Sequence, residues 1–353
     1  MCSRAIVVVA EKGASSCLDR LVDRPWFDHL IEQLIVGGIA NVDVLAPVTA
    51  RVVGHAGDGS RWGVALRCHD ADGDPPAALA HLLGDPDVLL VDAAAIVDPA
   101  AWTRPPERRD AVVLYYRPRK RGSTIELEWT GWCRGQGRAI AASLRAARNV
   151  GFLPALRWRA PTVKVVSAAL VARDPAGLLA ANAQVLARKA EFVSLRGQLD
   201  PAEVWVERGV RVHETARLYG PVYLGEHVEV GPGVVLGPNA VVGEGTVLEA
   251  GTNASDCVLP PATYVKQGTT CERVVGLESG AFGRISDSGS FVALQEGFVD
   301  LRRASLAADL RELLGRAQAA LQALAGRVTA FIRDGVAATV TRLAPGEDMI
   351  DAV

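Results

Sequence analysis

Apolar residues recur along this chain with different periods, and the change of period divides it. From Val212 to Leu259 an aliphatic or small residue opens every sixth position through eight successive hexads: VHETAR, LYGPVY, LGEHVE, VGPGVV, LGPNAV, VGEGTV, LEAGTN and ASDCVL. If one hexad makes one flat side, three make a triangular coil, and the array predicts a parallel β-helix. Leu218, Leu224, Val230, Leu236, Val242 and Leu248 should then point inward and stack from coil to coil. Gly225, Gly231, Gly237 and Gly243 should take the corners, where a Cβ is penalised. A single hexad buries too little to be stable, so stacking must supply the core.

Before the hexads the pattern is that of strands alternating with helices. Ala5 to Ala10 (AIVVVA) is a continuous, largely β-branched apolar run, as expected of a strand buried on both faces. A loop follows from Glu11 to Ser16, then a helical pattern from Trp26 to Val36 that stops at Gly37-Gly38. Val42 to Leu45, Gly63 to Arg67 and Val88 to Val91 read as further strands, and Pro76 to Leu83 as a helix. This order predicts a Rossmann-like, doubly wound α/β domain over residues 1–200, with its site at the carboxyl ends of the strands. The β-helix should occupy 201–278.

After the hexads, residues 279–304 are rich in Gly and Ser and read as a linker or irregular segment. From Ser305, apolar residues such as Leu306, Leu310, Leu313, Leu314, Ala317 and Leu321 fall at three- and four-residue intervals, predicting an amphipathic helical tail over 305–345. Charges recur at nearly every turn of it, so it does not read as a membrane span. Its stripe could cover the open end of the β-helix, pack on the α/β domain, join another subunit or lie along a membrane surface.

Composition narrows the setting. The 353 residues are 49% hydrophobic and 22% charged, enough for two domains, and the formal charge of -2 gives no reason to expect a nucleic-acid partner. Six scattered cysteines show neither a CxxC pair nor zinc-ligand spacing and read as reduced thiols. The first apolar run is too short for a signal-peptide core or a membrane span, so the expected location is cytoplasmic.

The hexads resemble the left-handed β-helix of hexapeptide-repeat proteins. The order RPWFDHLIEQLIVGGI, WGVALRCHD, an Ala-rich helix and VLLVDAAAIVD is similar to the sugar-phosphate nucleotidyltransferases, and SDCVLPPATYVKQGTTCERVV to the closing coil of their β-helix-bearing members. The resemblance covers roughly residues 4 to 278. It implies condensation of a nucleoside triphosphate with a sugar 1-phosphate on Mg²⁺, and a nucleotide sugar or sugar phosphate as ligand.

The family's site motifs are altered here. Its glycine-rich, arginine-bearing phosphate loop corresponds to AEKGASSC, which leaves Glu11, Lys12, Gly13 and Ser15 as the phosphate-loop candidates. Its Asn-Gly-Asp, whose Asp holds magnesium, corresponds to Asp92-Ala93-Ala94, which puts the metal carboxylate on an alanine and leaves Asp92, two residues earlier, as the metal candidate if the chain is active. The Phe-x-Glu-Lys-Pro segment is replaced by GQGRAIAASLRAARNVG, and no Trp-x-Asp-x-Gly turn occurs in VARDPAGLLAANAQVLARKA. Asp174 there reads as a helix N-cap followed by Pro175.

These departures predict a catalytically impaired nucleotidyltransferase-like protein, regulatory or scaffolding, in nucleotide-sugar or polysaccharide metabolism. It should assemble as a homo-oligomer or with a partner subunit, through the β-helix or the C-terminal helix. The alternatives are an active enzyme with a divergent site and a hexapeptide-repeat acyltransferase using His213 or His227 as base. Both histidines also fit plain surface positions. The basic run RPRKR (Arg117 to Arg121) could meet a phosphate or an acidic membrane surface, or simply be a solvated hairpin loop. Trp129, Trp132 and Trp158 could face a sugar ring, or pack.

Overall fold

The computed structural model describes residues 2–9, 17–47, 51–71, 75–84, 87–105, 111–121, 123–143 and 162–302. Residues 1–300 form one compact unit, mixed α/β with many parallel strands and few helices. The second unit, residues 301–353, is described only at its first two positions, so the helix expected over 305–345 lies outside the described residues.

The strands of the first part are β1 (Arg4–Val8), β2 (Asn41–Ala46), β3 (Ala65–Asp70), β4 (Asp87–Asp92), β5 (Ala95–Val97), β6 (Val113–Arg121), β7 (Thr124–Gln136), β8 (Thr162–Val165) and β9 (Ala169–Val171). The helices are α1 (Trp26–Val36), α2 (Arg51–Ala56), α3 (Pro75–Leu82), α4 (Pro99–Trp102), α5 (Gly137–Ser143) and α6 (Pro175–Leu186). Seven strands make one sheet in the order β8-β6-β7-β4-β1-β2-β3. β1 pairs in parallel with both β2 and β4, while the long β6–β7 hairpin adds antiparallel pairing on the far side of β4.

Continuous apolar strands suit a sheet covered on both faces. In β1, Ala5 and Val7 join the core built with Trp26, Phe27, Leu30, Ile31 and Leu34 of α1. Ile6 and Val8 point the other way, into a core shared with Leu79 of α3 and Ile140 of α5. Strand alternation thus distributes one apolar run between two layers.

From Val204 onward the chain visits three parallel sheets in turn. Strands 204–206, 222–224, 240–242, 257–259 and 274–276 form the first; 211–212, 229–230, 247–248 and 263–265 the second; 217–218, 235–236, 253–255 and 270–272 the third. Val204 pairs with Val222 and Val222 with Ala240, eighteen residues apart each time, which is the spacing of three hexads. After Ala254 one residue is lost, and Ala240 pairs with Cys257. Leu224, Val230, Leu236, Val242 and Leu248 are buried together in a core of their own; Leu218 is only partly buried.

The expected corner glycines are needed for close approach more than for handedness. A Cβ on Gly225 would come within 2.7 Å of the Glu244 backbone nitrogen, and one on Gly243 within 2.5 Å of that of Pro261. The neighbouring coil occupies the space; of the four expected corner glycines only Gly237 has positive φ.

The outward face of the first sheet is not free. Tyr223, Val241, Val258 and Val275 belong to the same core as α1 and α6, and Glu278 N donates to Asp19 Oδ1 at 2.7 Å. The expected boundary near residue 200 is therefore a change of architecture within one packed body.

Residues 279–304 correct an expectation. Instead of an irregular linker they carry strands 282–285, 291–294 and 298–300. The first two extend the first sheet antiparallel from 274–276, and the third pairs antiparallel with 263–265. Two sheets are thus extended by this segment. Short strands separated by Gly/Ser turns leave little periodicity to read, but Phe282 and Phe298 stack at 4.8 Å and anchor them.

Candidate functional site: a guanidinium in an oxygen cage

In an open α/β sheet a ligand crevice forms at the carboxyl ends of the strands, where connections diverge to opposite sides. Here that point lies between β1 and β4, with Val8 paired to Asp92. The phosphate-loop candidates Glu11, Lys12, Gly13 and Ser15 lie outside the described residues.

Asp92 ends β4 with its side chain buried. Oδ1 accepts from the Ala94 amide at 3.0 Å and Oδ2 from Arg173 Nη2 at 3.1 Å. The turn after it is held by two indoles: Trp26 Nε1 donates to Ala93 O at 2.9 Å, and Trp132 Nε1 to Ala95 O at 3.1 Å. β7 crosses close above through Gly131, with φ +86, where a Cβ would lie 2.4 Å from Asp92 Cβ. Burial pushes the Asp92 carboxyl above the usual carboxylate range, against the pull of Arg173 and the Ala94 amide.

Arg173, between β9 and the Asp174 N-cap of α6, supplies the missing counter-charge. Its guanidinium reaches the Asp92 carboxylate, Glu128 Oε1 at 3.4 Å, Trp129 O at 3.3 Å and Thr130 O at 3.1 Å. Glu128 in turn accepts from Arg117 at 2.8 and 2.9 Å through Oε2, and from Arg119 at 3.3 Å through Oε1. Three guanidiniums against two carboxylates leave the cluster net positive.

Magnesium does not fit this arrangement. Asp92 is a single carboxylate already saturated by a guanidinium, and among the described residues no three metal-type donors converge. A divalent ion beside Arg173 would also meet like-charge repulsion of several kcal/mol, given ~4 kcal/mol per unit pair at 4 Å and an effective dielectric constant of about 20.

The other sequence candidates do not join this cluster. His213 is exposed, and its Nδ1 accepts from the Thr215 amide at 3.2 Å, a local turn contact. It borders a shallow groove of about 340 Å³ with Arg211, Glu229 and Leu248. His227 is an exposed left-handed turn residue, φ 57, whose ring lies against Gly209. Among the described residues no carboxylate is hydrogen-bonded to either imidazole. Trp132 is fully buried and Trp129 donates to Trp132 O at 3.3 Å, so these two pack; Trp158 lies outside the described residues. Asp174 caps α6 as expected, Oδ1 accepting from Gly177 at 2.6 Å.

Sequence reasoning missed Glu128 and Arg173. The alternation of charge in RPRKR against TIELE signals a cross-strand pair of Arg117 with Glu128; nothing local marks Arg173, which meets Asp92 across 81 residues. Neither a protein-family model nor a curated protein matches this chain. No described helix is long and apolar enough to cross a membrane.

Proposed function

We propose that this chain is a catalytically impaired, sugar-phosphate nucleotidyltransferase-like protein that acts as a regulatory or scaffolding subunit in the supply of nucleotide sugars. The α/β part is read as the Rossmann-like nucleotidyltransferase domain, and the three parallel sheets as a left-handed β-helix. One observation carries the loss of catalysis: Arg173 sits among the oxygens of Asp92, Glu128, Trp129 and Thr130, where Asp92 would have to hold the metal of an active enzyme. An internal cation there balances the buried carboxylate but would not supply the Lewis acid that a metal would offer a phosphoryl oxygen. Six free thiols fit a cytoplasmic setting, and assembly with itself or a partner subunit completes the reading.

The test is pyrophosphate release from each nucleoside triphosphate with a panel of sugar 1-phosphates and Mg²⁺. No release above background is expected, in wild type or in Asp92→Ala. Release that Asp92→Ala abolishes would overturn the proposal.

A further inference from the structure

Beside the β6–β7 hairpin, and beyond the Asp92–Arg173 contact, lies a cavity of about 250 Å³. Its polar lining is Arg117, Arg119, Lys120, Ser167, Gln184 and Lys189, with Phe192 on one wall. We infer that this cavity binds a small soluble anion of the phosphomonoester class.

Charge is the first argument. Four cationic side chains from two separated stretches line the cavity and no carboxylate does. Glu128 lies behind them, with its oxygens divided among Arg117, Arg119 and Arg173. Lys120 and Lys189 have no ion-pair partner among the described residues. Lys189 follows the C-terminus of α6, where a cation complements the helix dipole. That role does not account for Arg117 and Lys120 meeting it from the hairpin. Gathered like charges repel, and a bound dianion removes the repulsion.

Geometry is the second. Arg117 is fixed by Glu128 on one side and by Ala169 O at 3.3 Å on another. Those bonds use three of the five N–H groups of a guanidinium and leave two to donate in a preset direction. The lysines are flexible and can close on the remaining oxygens, and Ser167 and Gln184 add neutral donors. The volume falls below the ~300–1,000 Å³ of ordinary small-molecule sites, which suits a phosphate on a small body and not a dinucleotide.

The inference does not depend on the enzymatic reading: pyrophosphate release would sink that reading and leave this site standing. The experiment is calorimetric titration of the full chain with inorganic phosphate and with glycerol 2-phosphate at low salt. The same titrations follow for Lys120→Gln/Lys189→Gln and Lys120→Glu/Lys189→Glu. Saturable binding is expected, weakened by added salt and roughly ten-fold or more by the neutral double variant, with unfolding of the ligand-free variants unchanged. Absence of binding to both probes would overturn the inference, and so would equal binding by the charge-reversed variant. Sedimentation with phosphatidylcholine vesicles containing phosphatidic acid, without binding of either soluble probe, would overturn the soluble-ligand assignment.

Discussion

The α/β part and the three-sheet part solve the same problem, burying short apolar strands, over different distances along the chain. In the three-sheet part polar partners lie about one coil apart: Arg208 meets Glu226 across 18 residues and Asn239 meets Asp256 across 17. In the α/β part the decisive contacts span 81 residues for Asp92–Arg173 and 160 for Val22–Asn182. Near-neighbour coupling makes the first kind of structure a sum of similar steps. The second depends on a few unique contacts, and a buried carboxylate with one guanidinium partner is the most exposed to loss.

Arg173→Ala should therefore have the largest effect. It strands the buried Asp92 carboxylate and takes a donor from the Trp129 and Thr130 carbonyls, while Glu128 keeps Arg117 and Arg119; breaking such a pair costs about 3 kcal/mol once discounted for the partial exposure of Arg173. Thermal unfolding would record it, and Asp92→Ala in the same chain should recover part of the loss. The variant also bares the oxygen cage, so Mg²⁺ or Mn²⁺ should raise its Tm while leaving wild type unmoved. A divalent-ion shift of equal size in both proteins would show that Arg173 does not fill the cation position.

The three-sheet part should break in a different way, through backbone clearance. Gly243→Ala places a methyl 2.5 Å from the backbone of the adjacent coil, and overpacking against backbone costs about 2 kcal/mol. Gly251→Ala meets nothing within 4 Å and suffers only from its φ of +68, about 1 kcal/mol. Chemical denaturation of the two variants ranks them. If Gly251→Ala were the worse, turn handedness and not coil spacing would limit this region.

The same contrast decides what could be read in advance. The hexads reveal the inward stack of Leu224, Val230, Leu236, Val242 and Leu248 because each residue's environment repeats one coil on, at eighteen positions for the first three and seventeen for the last two. β1 and β4 are legible because strands buried on both faces must be apolar throughout. The antiparallel strands 282–300 were hidden by their turns, since Phe282 and Phe298 meet only after the chain reverses. The candidate site was half legible. Asp92 follows from strand position, but Arg173 looks like any residue before a helix cap, and its role appears only when β9 is laid against β5, beside the end of β4.

Between the two parts, beside the cavity that Arg20, Tyr223 and Glu244 help to line, Asp23 offers a smaller and more selective probe. Its side chain is fully enclosed, with Oδ2 accepting from Arg24 at 3.0 Å and from the Arg196 amide at 3.2 Å. His29 Nε2 is hydrogen-bonded to Leu21 O at 3.0 Å and lies 2.9 Å from Oδ1. Burial alone would raise the Asp23 carboxyl, but the close approach of His29, then Arg24, outweighs it and holds the group below the usual carboxylate range. A depressed folded-state pKa stabilises the fold above the unfolded value of about 3.9 and loses that contribution as pH falls through the folded value. Asp23→Asn keeps the shape and removes the titration, so it should cost about 1 kcal/mol at neutral pH. That difference should hold steady down to about pH 5 and shrink below about pH 4, as wild-type Asp23 takes up its proton. Urea midpoints of both proteins across this range measure it, and a difference that persisted or widened in acid would place the stabilising charge elsewhere.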